Sequence, residues 1–340
     1  MRLLIGEIMR IRKVSFYDRF SCLAGNCPDS CCKDWEVQVD PDTAKYYRSL
    51  PGQLGQRLRQ VMKDDAQFGT VMINEESRCP MWRKDGLCEI QAQLGEQALC
   101  KTCREYPRLT HDYGDFVEYT LELSCPEAAR LILTAPRLPM VETEQPGSNV
   151  TDYDEDLMAL LLESRDTALT LLENPKLTVP EALQALLLYT HHVQSLIDGG
   201  ENSPFDVRRA LSTASEWVQT PDTSAFLTFF SQLELLNRDW GQRLCNPHPV
   251  PWHDGFRNLA RYGIERYWLQ AVSDYDLVCR GKLIVSSCIL VRILGGDFLE
   301  TAQTYSKEVE NNIDNVDAIL DGAYTSPALT DTALLSLLQE

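Results

Sequence analysis

No stretch of this sequence reaches the ~18 apolar residues that a helix needs to cross a bilayer. The opening segment, MRLLIGEIMRIRKVSF, is interrupted by Glu7, Arg10, Arg12 and Lys13, so it lacks the unbroken apolar run of a secretory signal. Met9 is a second candidate start, because Ile11 onward reads like the opening of a domain. These absences predict a soluble, cytoplasmic chain without a membrane partner. No GxGxxG follows a candidate strand and no β-α alternation is visible, so a Rossmann-like sheet is not expected. Basic residues thin out along the chain. Residues 1–138 hold 19 Lys+Arg against 20 Asp+Glu, while residues 139–340 hold 13 against 30, which is where almost all of the net charge of −18 lies. So acidic a surface repels phosphate backbones and argues against nucleic acid as a partner. It would attract a lysine-bearing partner, although acidic helix faces are also ordinary solvated surface.

The bulk composition is that of packed domains. With 340 residues, 44% of them hydrophobic and 24% charged, two domains are expected and wholesale disorder is not. Cysteine departs from this pattern: there are twelve, and nine lie between Cys22 and Cys125. Cys245, Cys279 and Cys288 stand alone in apolar helical sequence and read as small buried hydrophobes. The nine are Cys22, Cys27, Cys31 and Cys32 in SCLAGNCPDSCCKDW, Cys79 and Cys88 in CPMWRKDGLC, Cys100 and Cys103 in CKTC, and Cys125 in CPEAARLIL.

With no export signal, a disulfide framework has no oxidising compartment to form in. A thioredoxin-type redox pair uses one CxxC in a βαβ setting and leaves seven thiols unexplained. Metal ligation accounts for all nine, because thiolates bind soft and borderline metals. Turns at Gly25-Asn26, Pro28-Asp29 and Lys84-Asp85-Gly86 let distant sulfurs converge. Structural zinc favours tidy CxxC pairs, and Cys100–Cys103 alone fits that pattern. The irregular spacing, with Cys31 and Cys32 adjacent, suits an iron–sulfur cluster better and leaves zinc as the alternative. Nine thiols exceed one four-ligand site, so either there are two sites or several thiols surround the ligands. The CxxxCxxC of radical S-adenosylmethionine enzymes is absent, because Cys27 and Cys31 are followed at once by Cys32.

Periodicity predicts helices over Asp42–Leu50 and Gln53–Asp65, broken at Pro51-Gly52, and a short one over Cys88–Leu94 ended by Gly95. Arg108–Tyr113 and Phe116–Leu123 flank Gly114-Asp115 as a hairpin. Alternation places Phe116, Glu118, Thr120 and Glu122 on one face, and Val117, Tyr119, Leu121 and Leu123 on the other. Ser124 is expected to cap a helix through a capping box with Glu127, leaving Cys125 at a helix N-terminus that favours its thiolate. The expected fold is mainly α: a cysteine-rich metal-binding domain over 1–138 with a small β-hairpin, a linker over 139–150, and an acidic all-helical domain over 151–340. In the last, helices are predicted at about 152–172, 180–198, 204–219, 222–239, 255–271, 274–295, 297–320 and 327–338.

The four cysteine blocks CxxxxCPxSCCxxW, CPMWRKDGLCEIQAQLG, LCKTCREYPR and LELSCPEAARL resemble the flagellin lysine-N-methylase family. More broadly, they are similar to proteins with a CxxCxxCC zinc- or iron-chelating domain. The blocks span residues 17–134, and Arg257–Leu294 resembles the same family's C-terminal helices. The resemblance implies methyl transfer from S-adenosylmethionine to lysine side chains of flagellin by a protein carrying an iron–sulfur cluster, of the 4Fe-4S type. It makes Cys22, Cys27, Cys31, Cys32, Cys79, Cys88, Cys100, Cys103 and Cys125 the family's cysteines. Arg104, Tyr106, Pro107 and Arg108 match its YPR block, and Pro126 and Glu127 its CPE block. It gives none of these a catalytic role.

Tyr106 and Glu118 are the local candidates for accepting a proton or positioning a lysine, being polar groups beside the cysteines. Each also has a plain reading: Tyr106 packs, and Glu118 is solvated or pairs with Arg104 or Arg108. Trp35 and Trp82 are expected to shield the centre from solvent. His191, His192, His248 and His253 are expected to be structural. Two other functions stay open, a non-catalytic metal-chelating module with a helical interaction surface and a zinc-held structural region.

Overall fold

The computed structural model describes residues 8–33, 37–73, 78–147 and 150–339, so Trp35 lies outside the described residues. Its strands are β1 (Ile8–Lys13), β2 (Val37–Val39), β3 (Met62–Asp65), β4 (Gly69–Met72), β5 (Arg108–Asp112), β6 (Phe116–Leu121) and β7 (Val141–Pro146). The helices among cysteines are α1 (Pro41–Ser49), α2 (Gly52–Val61), α3 (Glu89–Leu94), α4 (Lys101–Glu105) and α5 (Pro126–Thr134). Then follow α6 (Glu155–Leu172), α7 (Val179–Ile197), α8 (Val207–Trp217), α9 (Thr223–Ser231) and α10 (Arg238–Cys245). The last are α11 (Gly255–Tyr267), α12 (Val278–Leu294), α13 (Phe298–Tyr305), α14 (Ile313–Thr325) and α15 (Asp331–Gln339). The protein is thus mainly helical with small sheets, and no Rossmann-like sheet is evident among the described residues.

Local chemistry explains many of the boundaries. Asp40 caps α1 by accepting from the Thr43 amide at 3.0 Å, with Pro41 preset for the first turn. Thr178 and Glu181 form a reciprocal capping box on α7. The predicted helix 222–239 is two helices, because Asn237 caps a new one through the Asp239 amide. The predicted helix 297–320 is likewise broken: α13 runs into a π-helical turn at Ser306–Glu310, and Asn312 starts α14.

The sheets exceed the single hairpin expected. β5 and β6 form that hairpin, pairing Arg108 with Leu121 and Asp112 with Val117. Its turn requires glycine, since Gly114 has φ +89° and a Cβ there would meet the Val150 carbonyl oxygen at 1.9 Å. β1 adds in parallel to β6, and β7 pairs antiparallel with β1 to close a four-stranded sheet in the order β5-β6-β1-β7. The segment taken as linker is therefore in part a strand. Its glutamates and terminal proline suit an exposed edge, where they discourage further pairing. Met62–Asp65, expected as the end of a helix, is a strand in a second sheet ordered β2-β4-β3.

Two apolar cores result. The larger joins Phe116 and Leu121 of β6 and the following Leu123 to α5 and the long helices, with every residue of α12 buried at its centre. The smaller gathers Val37, Tyr47, Leu58, Met81 and Ile90 around Cys79 and Cys100. Among the described residues, no helix is long and apolar enough to cross a membrane.

Candidate metal centre

The smaller core contains a largely enclosed cavity of about 30 Å³ lined by Cys31, Cys32, Cys79, Cys88, Cys100 and Cys103. Its remaining wall is apolar (Val37, Met72, Met81, Ile90, Leu99) apart from Tyr47 and Tyr106. Short-range structure delivers each thiol. The Cys79 amide donates to the Cys32 carbonyl at 2.8 Å, tying two cysteine segments together. Cys88 is the residue before α3, and Cys100 the residue before α4, which carries Cys103 one turn on. Asp40 holds α4 in place by also accepting from the Lys101 amide at 2.8 Å, while the Tyr47 hydroxyl donates to the Ala98 carbonyl at 2.6 Å. The Cys22–Cys27 turn backs onto Lys84–Gly86 through two glycines: a Cβ at Gly25 would lie 3.3 Å from the Asp85 carbonyl oxygen, and Gly86 has φ +80°.

The thiols interact with one another. Cys32 accepts from Cys31 and from Cys79, which lowers its pKa to about 3 and raises those of both donors. Cys100 accepts from Cys103, and this lowers the first and raises the second. Burial raises Cys88. Among the described residues, no three His, Cys, Asp or Glu side chains already converge on one ion-sized point. The sulfurs surround a cavity with a mostly apolar wall instead. A set of soft donors in an apolar shell fits an iron–sulfur cluster or zinc by its chemistry, and both hold thiolates.

Cys22, Cys27 and Cys125 do not line this cavity, but Cys22 and Cys125 bear electrostatically on Cys31, and Cys22 and Cys27 on Cys125. The Ala24 amide donates to Cys22 Sγ at 3.4 Å, and Cys27 Sγ donates to the Asp29 carbonyl at 3.1 Å. Cys125, not Ser124, occupies the cap of α5, and it makes no side-chain cap bond. Glu127 pairs with Arg130 at 2.6 Å, so the expected capping box does not form. Burial outweighs the amides of Ala128 and Glu127 and pushes the Cys125 thiol up to about 11, contrary to the thiolate expected at a helix N-terminus.

The two catalytic candidates part company. Tyr106 lies on the cavity wall, its hydroxyl 3.0 Å from Ser124 Oγ, and burial pushes its phenol well above the ordinary range. Glu118 is neither solvated nor paired with Arg104 or Arg108. It is fully buried, held by Arg165 at 2.7 and 2.8 Å and by Arg12 at 2.8 Å. Arg104 instead reaches the Leu99 carbonyl, and Arg108 lies over the Phe20 ring. Trp82 does not line the cavity; it lies under Arg78 and Lys33. His191 meets Asp331 at 2.9 Å, His192 stacks on Tyr189 and His253 packs on Phe256 and Phe298. His248 bridges to Gly295. Cys279 and Cys288 are buried as expected, whereas Cys245, at the end of α10, is exposed.

Several polar residues beside the thiols were not singled out from sequence. Asp29 accepts from Gln303 and Lys307, each at 2.9 Å, and Gln303 also donates to the Ser124 carbonyl at 2.6 Å. The i,i+4 spacing of Gln303 and Lys307 is a helix-face signal, but it does not name the partner. Glu122, placed by alternation on the face of Glu118, is partly buried, and burial raises its pKa against the opposing Arg266. On the helical side, Glu310 of the π turn accepts from Tyr262 at 2.9 Å and Tyr267 at 3.0 Å, with Arg266 at 3.3 Å. The Leu123 amide donates to the Tyr262 hydroxyl at 3.4 Å.

Neither a family model nor a solved structure matches the chain. Curated proteins do. Over 132 residues, 37% of this chain, it is 33% identical to a lysine-N-methylase of Salmonella typhimurium and 32% identical to one of Salmonella choleraesuis. The match covers 33% of each of those proteins, so it spans about a third of their length. Over the same length it is 32% identical to the flagellar biosynthetic protein FliU of Salmonella muenchen, of which it covers 78%. This chain therefore belongs to the lysine-N-methylase family that includes FliU.

Proposed function

We propose that this chain methylates lysine side chains of flagellin in the cytoplasm with S-adenosylmethionine as donor, and that its cysteine-lined cavity holds an iron–sulfur cluster. The observation that carries the reading is six thiols and the Tyr106 phenol on one apolar cavity, in a chain related to lysine-N-methylases. The lining thiols Cys31, Cys32, Cys79, Cys88, Cys100 and Cys103 supply more than the four ligands a 4Fe-4S cluster takes. Such a cluster would cross-link the cysteine segments and place a charged group beside the reaction.

Methyl transfer from a sulfonium is a displacement at carbon, so the lysine amine must be neutral, desolvated and in line with the methyl group. An apolar wall that carries two phenols, Tyr47 and Tyr106, meets the first two needs: low polarity disfavours the ammonium, and a phenol offers a route for its proton. Glu118 is unsuited to that task, because two arginines already hold its carboxylate. A second reading, a zinc module without turnover, draws on Cys100 and Cys103, which contact each other as a zinc-type CxxC pair.

One experiment separates the two. The chain is purified without oxygen, its iron, sulfide and zinc are measured, and it is incubated with S-adenosylmethionine and flagellin before mass spectrometry. Iron and sulfide in about equal amounts, about four of each per chain, with methyl groups on flagellin lysines, is the expected result. Zinc without colour or methyl transfer supports the module instead.

A further inference from the structure

The cysteine-lined cavity, at about 30 Å³, has no room for a small molecule beside a bound group. A second pocket, of about 600 Å³, is within the size range of small-molecule sites. It is formed by β1, the segment before β7, one face of α6 and a single residue of α11. Residues 139–340 hold 13 basic against 30 acidic side chains, yet on this lining four arginines balance four carboxylates. An anion that the rest of the helical part repels is therefore tolerated here.

Three features of the lining point to a ligand. Glu265 of α11 is partly buried, and among the described residues none donates a hydrogen bond to it. Arg165, Arg137 and Arg261 bear on it electrostatically, but their donors go to Glu118, to Asp166 and to the Ile132 and Ala135 carbonyls. A carboxylate withdrawn from water ordinarily has a donor, and burial raises this one despite the arginines. Leu138 is 57% exposed and shares the lining with Met140, Leu162 and Leu169, an apolar strip open to solvent. Arg10 engages Asp115 through Nη2 at 2.7 Å, and its half-exposed side chain keeps other donors to offer.

These features select a ligand chemistry. Three guanidinium groups around Glu265 disfavour a cation there and leave neutral hydroxyls as the matching donors. A carboxylate that accepts from a ribose hydroxyl is also how dinucleotide sites hold their sugar. The leucine strip suits a flat apolar ring, and the arginine suits an acid. We propose that this pocket binds a nucleoside carrying an acidic group, with its sugar hydroxyls on Glu265, its base on the leucine strip and its acid on Arg10. The proposal stands apart from the methyl-transfer reading. Two sources share the chemistry: a nucleotide, whose acid is a phosphate, and an adenosyl amino acid, whose acid is a carboxylate.

The test is isothermal titration calorimetry on the full chain, purified without oxygen. AMP, S-adenosylhomocysteine, adenosine and 2′,3′-dideoxyadenosine are the probes. AMP or S-adenosylhomocysteine is expected to bind, and the tighter of the two identifies the source. Arg10→Ala should weaken the acid-bearing ligand about 10-fold, the scale of a lost hydrogen bond to a charged group, and leave adenosine unchanged. Glu265→Gln should weaken adenosine and the acid-bearing ligand alike by about 10-fold. It should not alter the dideoxy nucleoside, which has no sugar hydroxyls at those positions. That selectivity is not expected of a merely structural residue. If Glu265→Gln fails to fold, Arg10→Ala and Leu138→Asp carry the test, since both side chains are exposed. No binding of either acid-bearing probe at millimolar concentration, or binding that none of the variants changes, overturns the proposal. Methylation of flagellin is scored separately. A chain that binds a probe with this pattern but transfers no methyl group keeps the site and overturns the methyl-transfer reading.

Discussion

Glu118 has three charge-assisted contacts from two arginines, 47 and 106 residues away in sequence. Arg165 approaches it as a fork, and both side chains are withdrawn from water, at 1% and 5% exposure. Removing one member of such a pair strands the other charge in a poorly solvated place. Arg165→Ala is therefore expected to cost about 3–5 kcal/mol, the range for breaking a buried pair, read as a shift in the urea midpoint. Arg10→Ala provides the contrast: its Asp115 bridge leaves the arginine 55% exposed, and about 1 kcal/mol or less is expected. The alternation in FVEYTLEL did reveal which residues share a face with Glu118. It could not reveal that helices cover that face, because α6 lies beyond an intervening helix and strand. A residue that reads as solvated from its own strand is thus a buried charge centre.

The loop between Cys27 and Cys31 has little regular structure, yet it is fixed to the helical part of the protein by Asp29. Burial alone would raise that carboxyl, but Lys307, Gln303 and Lys33 together hold it below the ordinary carboxylate value. The sign follows directly. A depressed carboxyl contributes stability at pH values above its unfolded value, and that contribution is lost as pH falls through the lower folded value. Attachment of the loop should accordingly persist at neutral pH and weaken only in acid, below the normal carboxylate range. Asp29→Asn removes the charge at every pH, and at neutral pH it should raise the alkylation rate of Cys27 and Cys31 several-fold. Mass spectrometry of the labelled peptides checks this, and unchanged rates would show that other contacts hold the loop. Helix periodicity, caps and breakers gave most of the helical elements, because those signals are local. The strand β7 escaped for the opposite reason, since it needs β1, whose six registered partners lie more than a hundred residues earlier; β3 pairs locally with β4 and was hidden by the helical periodicity that runs into it from α2.

The two cores differ in what holds them together. The larger is made of long helices around a wholly buried α12, the usual means by which a chain of this size retains its fold. The smaller has short helices, a three-stranded sheet and a cavity whose wall is largely sulfur. If its thiols hold the proposed cluster, a small core of that kind leans on it, and ligand affinity there is folding free energy. The sequence marks nine cysteines as candidate ligands but does not say which six line one cavity, since that depends on which turns face each other across it. Replacing Cys100 or Cys103 by Ala removes a lining thiol from the CxxC pair, and the bound group should be weakened or lost. For a group held at about 100 times its Kd, losing it removes about 3 kcal/mol. That loss should be confined to the smaller core. Hydrogen exchange is expected to rise across residues 37–103, while α12 and its neighbours remain protected and helical circular dichroism changes little. Chelation of the wild-type chain should reproduce the same pattern. If both variants keep their metal content and their exchange, these thiols are packing groups and the ligands must be sought among Cys22, Cys27, Cys31, Cys32, Cys79, Cys88 and Cys125. If protection collapses in both regions together, the two cores fold as one cooperative unit and the bound group stabilises the whole chain.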